Sequence, residues 1–225
     1  MFSLKPIFFS LLFISSSALA INVGKVTTII PADADSTAKE LKNEADSVRI
    51  ISISAQRISS PMDEGVVINP EQTDELLLTP TRMVMPAGTS NIVKFYYHGK
   101  ADDRERYYRI TFIDEGVSED LDNGTQKNGK GMTRAVVSTI LVVQPRKKNV
   151  DFVYVAGKIT NKGNTAFRVN ASGTCLKPNP GSPTTPCVKN FYLMPGTSRA
   201  IDDINVTDSH FHLGIWDLKQ FIPVK

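Results

Sequence analysis

The sequence predicts an all-β protein of sandwich architecture, and three observations carry that prediction. Short runs rich in β-branched and aromatic residues recur along the chain. Gly, Pro and Asn clusters separate them at short intervals. The 225 residues are 41% hydrophobic and 22% charged, an ordinary globular balance with enough apolar material for a sizeable core. That length accommodates one large domain or two of sandwich size.

Residues 1–20, MFSLKPIFFSLLFISSSALA, come first and differ in kind. Lys5 supplies a positive start, Ile7 to Ile14 form an apolar run broken only by Ser10, and Ala18-Leu19-Ala20 is a small-x-small cleavage site. The run is too short for a bilayer core, which takes about 20 apolar residues. It reads as a secretory signal peptide cleaved after Ala20, with no membrane insertion of the mature chain.

The strands follow. Ser36 to Ala45, STAKELKNEA, fits either a helix or an exposed sandwich strand. Val48–Ala55, Asn91–Tyr97 and Arg106–Phe112 have strand composition, and Val136–Val143, VVSTILVV, is the strongest strand in the chain. Phe152–Val155, Thr165–Val169 and Phe211–Trp216 complete the series. Turn signals at Ser60-Pro61, Asn69-Pro70, Thr79-Pro80, Pro86-Ala87-Gly88, Asn123-Gly124, Asn161–Asn164 and Pro195-Gly196 divide them. The polar segment Pro145–Asn149 after VVSTILVV marks a boundary, giving units of about 21–145 and 146–225. Residues 116–131, GVSEDLDNGTQKNGKG, form a long polar loop leading into that strand, and loops of this length are commonly functional.

Export decides how the cysteines read. Cys175 and Cys187 are the only two, and an oxidising compartment favours one disulfide between them. It closes a Pro-rich loop containing Pro178, Pro180, Pro183 and Pro186, and contributes about 3 kcal/mol in the chain-entropy view. A redox pair usually sits two residues apart at a helix start, and these do not.

Composition excludes most chemistry. The net charge of +3, from 26 basic and 23 acidic residues, is too small to indicate nucleic acid. Two Cys and three His leave little for a metal. His210 and His212 share one strand face, with Asp208 as the nearby acid, and a surface role fits them better than ligation. Residues 124–131, GTQKNGKG, approach a phosphate loop but end on Gly131 and precede a strand instead of a helix. The mixed charges Asp102-Asp103-Arg104-Glu105-Arg106 read as a solvated turn. No G-x-S-x-G or H-E-x-x-H occurs, and neither an enzyme nor a bound cofactor is expected.

VVSTILVV is left. Val136, Ile140 and Val142 are apolar on one parity, and Val137, Leu141 and Val143 on the other. One reading is a central strand buried on both faces. The other is an edge strand whose free side is lent to another protein, backbone hydrogen bonds giving affinity and alternate side chains specificity. A long apolar edge is otherwise an aggregation hazard.

A run of motifs then carries a family resemblance. They are Arg57-Ile58-Ser59-Ser60-Pro61, DELLLTP at 74–80 with Pro86, ERYYRI at 105–110, ILVVQPR at 140–146, YLMPG at 192–196 and FIPVK at 221–225, with the two cysteines between. Their order and end-to-end coverage resemble the periplasmic pilus chaperones of the alternate chaperone–usher pathway. The resemblance implies two immunoglobulin-like β-sandwich domains set at an angle with a cleft between them. It implies periplasmic location, fimbrial (pilin) subunits and an outer-membrane usher as partners, and no ATP. Such a subunit lacks its last strand, and the chaperone lends one; here that strand matches Thr133 to Val143, with Val136, Val137, Ser138, Thr139, Ile140, Leu141, Val142 and Val143 as subunit-binding residues.

Better-known members also anchor the subunit's C-terminal carboxylate with an Arg on the first strand and a Lys on the last. This chain departs from that pattern. Its first strand, Val23 to Ile30, carries only Lys25, and Ile140 stands near the expected Lys. Lys25, Arg109, Arg134 and Arg146 are the candidate replacements, each able to form charge-assisted hydrogen bonds to a carboxylate. The alternative from a different class is a secreted structural or binding protein, such as a fimbrial subunit.

Overall fold

A computed structural model describes residues 21–62, 65–117, 134–177, 181, 186–217 and 219–225. The signal peptide, most of the 116–131 loop with GTQKNGKG, Thr133 and most of the Pro-rich loop lie outside the described residues. Every element among the described residues is a strand. In chain order they are β1 (Ile21–Asn22), β2 (Thr27–Ile30), β3 (Ser36–Asn43), β4 (Arg49–Ile58), β5 (Leu76–Thr79), β6 (Arg82–Met85), β7 (Ser90–Tyr97) and β8 (Arg106–Gly116). After them come β9 (Arg134–Val143), β10 (Phe152–Val155), β11 (Lys158–Asn161), β12 (Phe167–Gly173), β13 (Cys187–Leu193), β14 (Ser198–Ala200), β15 (His212–Trp216) and β16 (Phe221–Pro223).

Four sheets pair into two sandwiches. Sheet β1-β3-β7-β5 faces sheet β2-β9-β8-β4-β6. Their inward residues, led by the fully buried Leu41, Phe95, Ile51, Phe112 and Leu141, form one core. Sheet β10-β11-β14 faces β13-β12-β15-β16 over a second core centred on Ile159, Phe167, Val169 and Ile215. Burying each such side chain stabilises by about 1.5–3 kcal/mol. Ser36–Asn43 resolves as a strand: Lys39, Leu41 and Asn43 alternate inward. The structure also adds β5, β6, β11, β13, β14 and β16, whose short runs give little periodicity.

Both sandwiches use the same asparagine device. Asn43 ends β3, and its Nδ2 donates to the Ser47 and Met85 carbonyls at 2.9 and 3.0 Å, while Oδ1 accepts from the Ala45 N–H. Asn161 ends β11, and its Nδ2 donates to the Thr165 and Leu193 carbonyls at 2.9 and 3.0 Å, while Oδ1 accepts from the Gly163 N–H. Each amide shapes its own turn and reaches a carbonyl of the opposite sheet. Both are fully buried. Removing either strands several backbone groups, each costing about 1–3 kcal/mol.

The first strand of the resemblance is two strands. β1 pairs antiparallel with β3, and β2 pairs parallel with β9. Gly24 lies between them at φ 62°, and its N–H donates to Asn22 Oδ1 at 2.8 Å. The left-handed conformation favours glycine and lets the chain leave one sheet for the other.

The charged stretch at 102–106 is solvated only at Asp103 and Arg104. Arg106 is buried, with its guanidinium on both Asp102 oxygens at 2.6 and 2.7 Å and near Glu75 at 3.2 Å. Arg57 holds Glu75 in turn with two 2.9 Å contacts. Buried charges survive only when paired this way. In the second sandwich a disulfide joins Cys175 to Cys187.

The pairing makes a pH prediction. Arg106 hydrogen bonds hold the Asp102 carboxyl down to about 2, against about 3.9 when unfolded. Its stabilisation is complete above about pH 4 and is lost as pH falls toward about 2. Urea midpoints measured near pH 7 and near pH 2.5 are expected to differ less for Asp102→Asn than for the parent chain; an equal drop in both would contradict the pairing.

Candidate functional site

β9 holds the site, and its two edges have different fates. β8 pairs with it from Arg134 to Val143. On the other side β2 reaches only Ile140 to Val143. Of the two readings of VVSTILVV, central or edge strand, neither describes the whole run: its end is paired on both edges, and Arg134–Thr139 is open on one side among the described residues. The Ile140 N–H points to β2, donating to the Val26 carbonyl at 2.8 Å, as does that of Gln144 to Ile30 at 3.0 Å. Successive residues alternate in backbone direction. Arg134, Val136 and Ser138 therefore aim their N–H and C=O at the open side.

Side-chain parity follows from the core. Thr139, Leu141 and Val143 are buried, Leu141 and Val143 in the first core. Val136, at 60% exposure, and Ser138 stand on the outer face. Two apolar parities thus serve two surfaces. Odd positions fill the sandwich, and even positions face out, where Ile140 and Val142 are half-covered by a third cluster.

That cluster joins the two sandwiches. Ile58, Tyr107, Ile140 and Val142 come from the outer face of the β8-containing sheet, and Met194 and Ala166 from the ends of β13 and β12. Glu105 reinforces it. Its carboxylate accepts from Tyr107 Oη at 2.5 Å, from Thr165 Oγ1 at 2.7 Å and from the Ala166 N–H at 3.1 Å. Burial raises the Glu105 pKa despite these donors. Asn164 Nδ2 adds bonds to the Asp103 and Lys147 carbonyls at 3.0 and 2.8 Å. A groove of about 400 Å³ lined by Ser59, Arg104, Tyr107, Asn164 and Met194 runs along the seam. Sequence reasoning missed this junction. Its signal was Glu105-Arg106-Tyr107, a charged pair opening an aromatic strand, which surface statistics assign to solvent.

The four candidate anchors separate. Arg146 donates to the Ala32 and Ala34 carbonyls at 3.1 and 2.9 Å and pairs with Asp35, so it clamps its own sandwich. Arg134 pairs with Glu115 at 3.4 Å at the exposed start of β9. Lys25 is exposed beside a groove of about 630 Å³ between β2 and β3, where its carbonyl receives Lys39 Nζ. Arg109 differs. It sits on the outer face of β8, opposite Gln56 on one side and Ile140 on the other. It is half-buried, one outward position from Tyr107, and has no ion-pair partner among the described residues. His210 hydrogen-bonds Asp208 at 3.0 Å, and no metal-binding cluster occurs among the described residues.

The outer sheet face of one sandwich meets the strand ends of the other, and a half-open strand leads into that junction. Solved structures share this fold. The class 5 fimbriae chaperone CfaA superposes with a TM-score of 0.56 at 16% identity, covering 91% of this chain and 97% of that one. A chain of the Salmonella enterica SafA pilin–SafB chaperone complex gives 0.53 at 14% identity, covering 93% and 98%. Residues 150–224 match the model of the EcpB C-terminal domain. The probable fimbrial chaperone EcpB of Escherichia coli K12 is 40% identical over 210 residues, 93% of each chain. The chain belongs to the EcpB family of fimbrial chaperones, and as such it is not an enzyme.

The junction yields a prediction. Met194→Asp places a charge against Ile58 and Tyr107. Trypsin is expected to cut at Arg146–Lys148 several-fold faster, with both sandwiches still folded by near-ultraviolet circular dichroism. Unchanged cleavage would show that the cluster does not hold the sandwiches together.

Proposed function

We propose that this chain is exported to the periplasm, loses residues 1–20 after Ala20, and holds fimbrial subunits by strand donation until an outer-membrane usher receives them. The unit at about 21–145 donates the strand, and the unit at about 146–225 forms the second wall of the site. One observation carries the reading: Arg134–Thr139 is a strand half paired and half open, flanked by the junction. An incomplete subunit would pair with that open side and receive Val136 on its apolar groove. Ile140 and Val142 already belong partly to the junction, so among Val136–Val143 the inserted parity is the even one. Val137, Thr139, Leu141 and Val143 face the donor's own core.

Arg109 is the residue fit to anchor a subunit carboxylate. Its guanidinium is outward and half-buried, with no ion pair among the described residues, which raises the value of a charge-assisted pair over that of an exposed lysine. Lys25 lies on the neighbouring segment and could add a second charge; Arg134 and Arg146 are already engaged. The SafA–SafB structure, a pilin in complex with a chaperone of this fold, supports the reading. The alternative of a fimbrial subunit has no observation in its favour.

The test is co-expression of the tagged chain with a fimbrial subunit in a periplasm, followed by mass measurement of what co-purifies. A stoichiometric subunit is expected. Val136→Asp is expected to reduce it at least about tenfold with little change in thermal midpoint, because the position is exposed. Val84→Asp, equally exposed on β6 at the far edge of the same sheet, is expected to leave it unchanged. Equal recovery from all three would sink strand donation.

Arg109→Ala gives a separate prediction. Losing a charge-assisted contact costs about 1.5–3 kcal/mol, so subunit recovery is expected to fall about tenfold or more. Arg134→Ala should change it little. The reverse order would move the anchor to the start of β9.

A further inference from the structure

The first described residue makes an unusual contact. The Ile21 backbone nitrogen donates to Asp114 Oδ2 at 3.1 Å in a buried setting. Asp114 lies on β8, is fully buried, and gives its other oxygen to Arg49 Nε at 2.6 Å. The Ile21 side chain is itself buried in the first core, and β1 fixes it opposite Asn43. In the full chain that nitrogen is an amide. In a chain cut after Ala20 it is a terminal amine.

We propose that removal of the signal peptide completes the first sandwich by creating an ammonium partner for Asp114. The inference rests on the cleavage position proposed above. The export peptidase hydrolyses the Ala20–Ile21 bond with one water. The oxygen stays on Ala20 as a carboxylate of the departing peptide, and the Ile21 nitrogen takes up protons to become an ammonium. No other bond changes. The nitrogen already sits within hydrogen-bond distance of Asp114, so its charge appears where a buried carboxylate waits.

The geometry argues for a coupled device. A charge-assisted hydrogen bond is roughly twice as strong as a neutral one. The Asp114 carboxylate offers one oxygen to each cation, so the second partner does not displace the first. Asp114 lies directly opposite Ala135 in the β8–β9 register, beside the start of the half-open strand. Processing would thus stabilise the strand that carries the proposed donor residues, and would do so only after export. The unprocessed chain keeps the amide contact without its charge.

A mass measurement and a melting comparison test this. Intact mass of the periplasmic product gives its N-terminus, with Ile21 expected. Thermal midpoints then compare the chain starting at Ile21 with one carrying a single extra Gly before it. The extension keeps an amide N–H at the same place and moves the ammonium one residue away from Asp114. The extended chain is expected to melt about 2–4 °C lower, and in Asp114→Asn the two are expected to melt together. Should Asp114→Asn fail to fold, the reactivity of the α-amine decides: in the native chain it is expected to be methylated at least about tenfold more slowly than in urea.

A different N-terminus would overturn the cleavage reading and the pairing with it. Ile21 at the terminus, with equal midpoints or an amine equally reactive in both states, would overturn the pairing alone.

Discussion

A strand has two edges, and the fold turns on β2 covering only part of one edge of β9. Had β2 run along the whole strand, the sheet would be closed on that side and nothing would remain to lend. Had it been absent, the full apolar length of VVSTILVV would face solvent as an aggregation template. The compromise is set by where the chain leaves one sheet for the other, at Gly24, because every residue spent on β1 is unavailable to β2. The open half is also the less apolar half: Ser138 bonds Thr111 across the sheet at 3.2 Å, and Arg134 pairs with Glu115. The hydrophobic end, Ile140–Val143, lies under cover.

The same strand pair leads into the junction. β8 begins at Arg106, locked by Asp102 and Glu75, and the preceding Glu105 reaches Thr165 and Ala166 of the second sandwich. One turn therefore fixes the start of a strand and the seat of the neighbouring sandwich. The cation-bearing side faces inward with Tyr97 near the guanidinium, and the carboxylate side faces the junction. Arg109, one outward step past Tyr107, is thereby held at a defined place beside β9. The network sets geometry more than stability, since a buried ion pair recovers little beyond its own desolvation.

The sequence revealed the all-β class and the strong strands because β-branched and aromatic runs such as Asn91–Tyr97 report burial directly. Ser36–Ala45 stayed ambiguous because Lys39 points inward, with its ammonium on the Lys25 carbonyl and Thr28 Oγ1, which breaks the polar–apolar alternation. The junction was hidden for a related reason. Glu105 and Arg106 are charged, and their burial depends on Thr165, Ala166, Glu75 and Tyr97, partners far away in sequence. VVSTILVV was visible as important, yet its two apolar parities admitted either a central or an edge strand. In the structure one half is paired on both edges and the other on one edge among the described residues, a division set by the reach of β2 that local composition does not encode.

The size of the open edge bears on how a donated strand could be given up again. Arg134, Val136 and Ser138 present both backbone groups to the free side, so an incoming strand finds about six hydrogen bonds, each worth a net 0.5–1.5 kcal/mol or so. Burial of Val136 adds about 1.5–3 kcal/mol, and a carboxylate on Arg109 a similar amount. Against these stands an association cost of roughly 4–15 kcal/mol. Most of the backbone contribution is indifferent to sequence, since any extended segment can form those bonds. A competing strand that offers the subunit the same ladder, with larger side chains than Val136 and Ser138 in its groove, would therefore win by packing alone. The small residues at the open end of β9 suit a temporary donor better than bulky ones would.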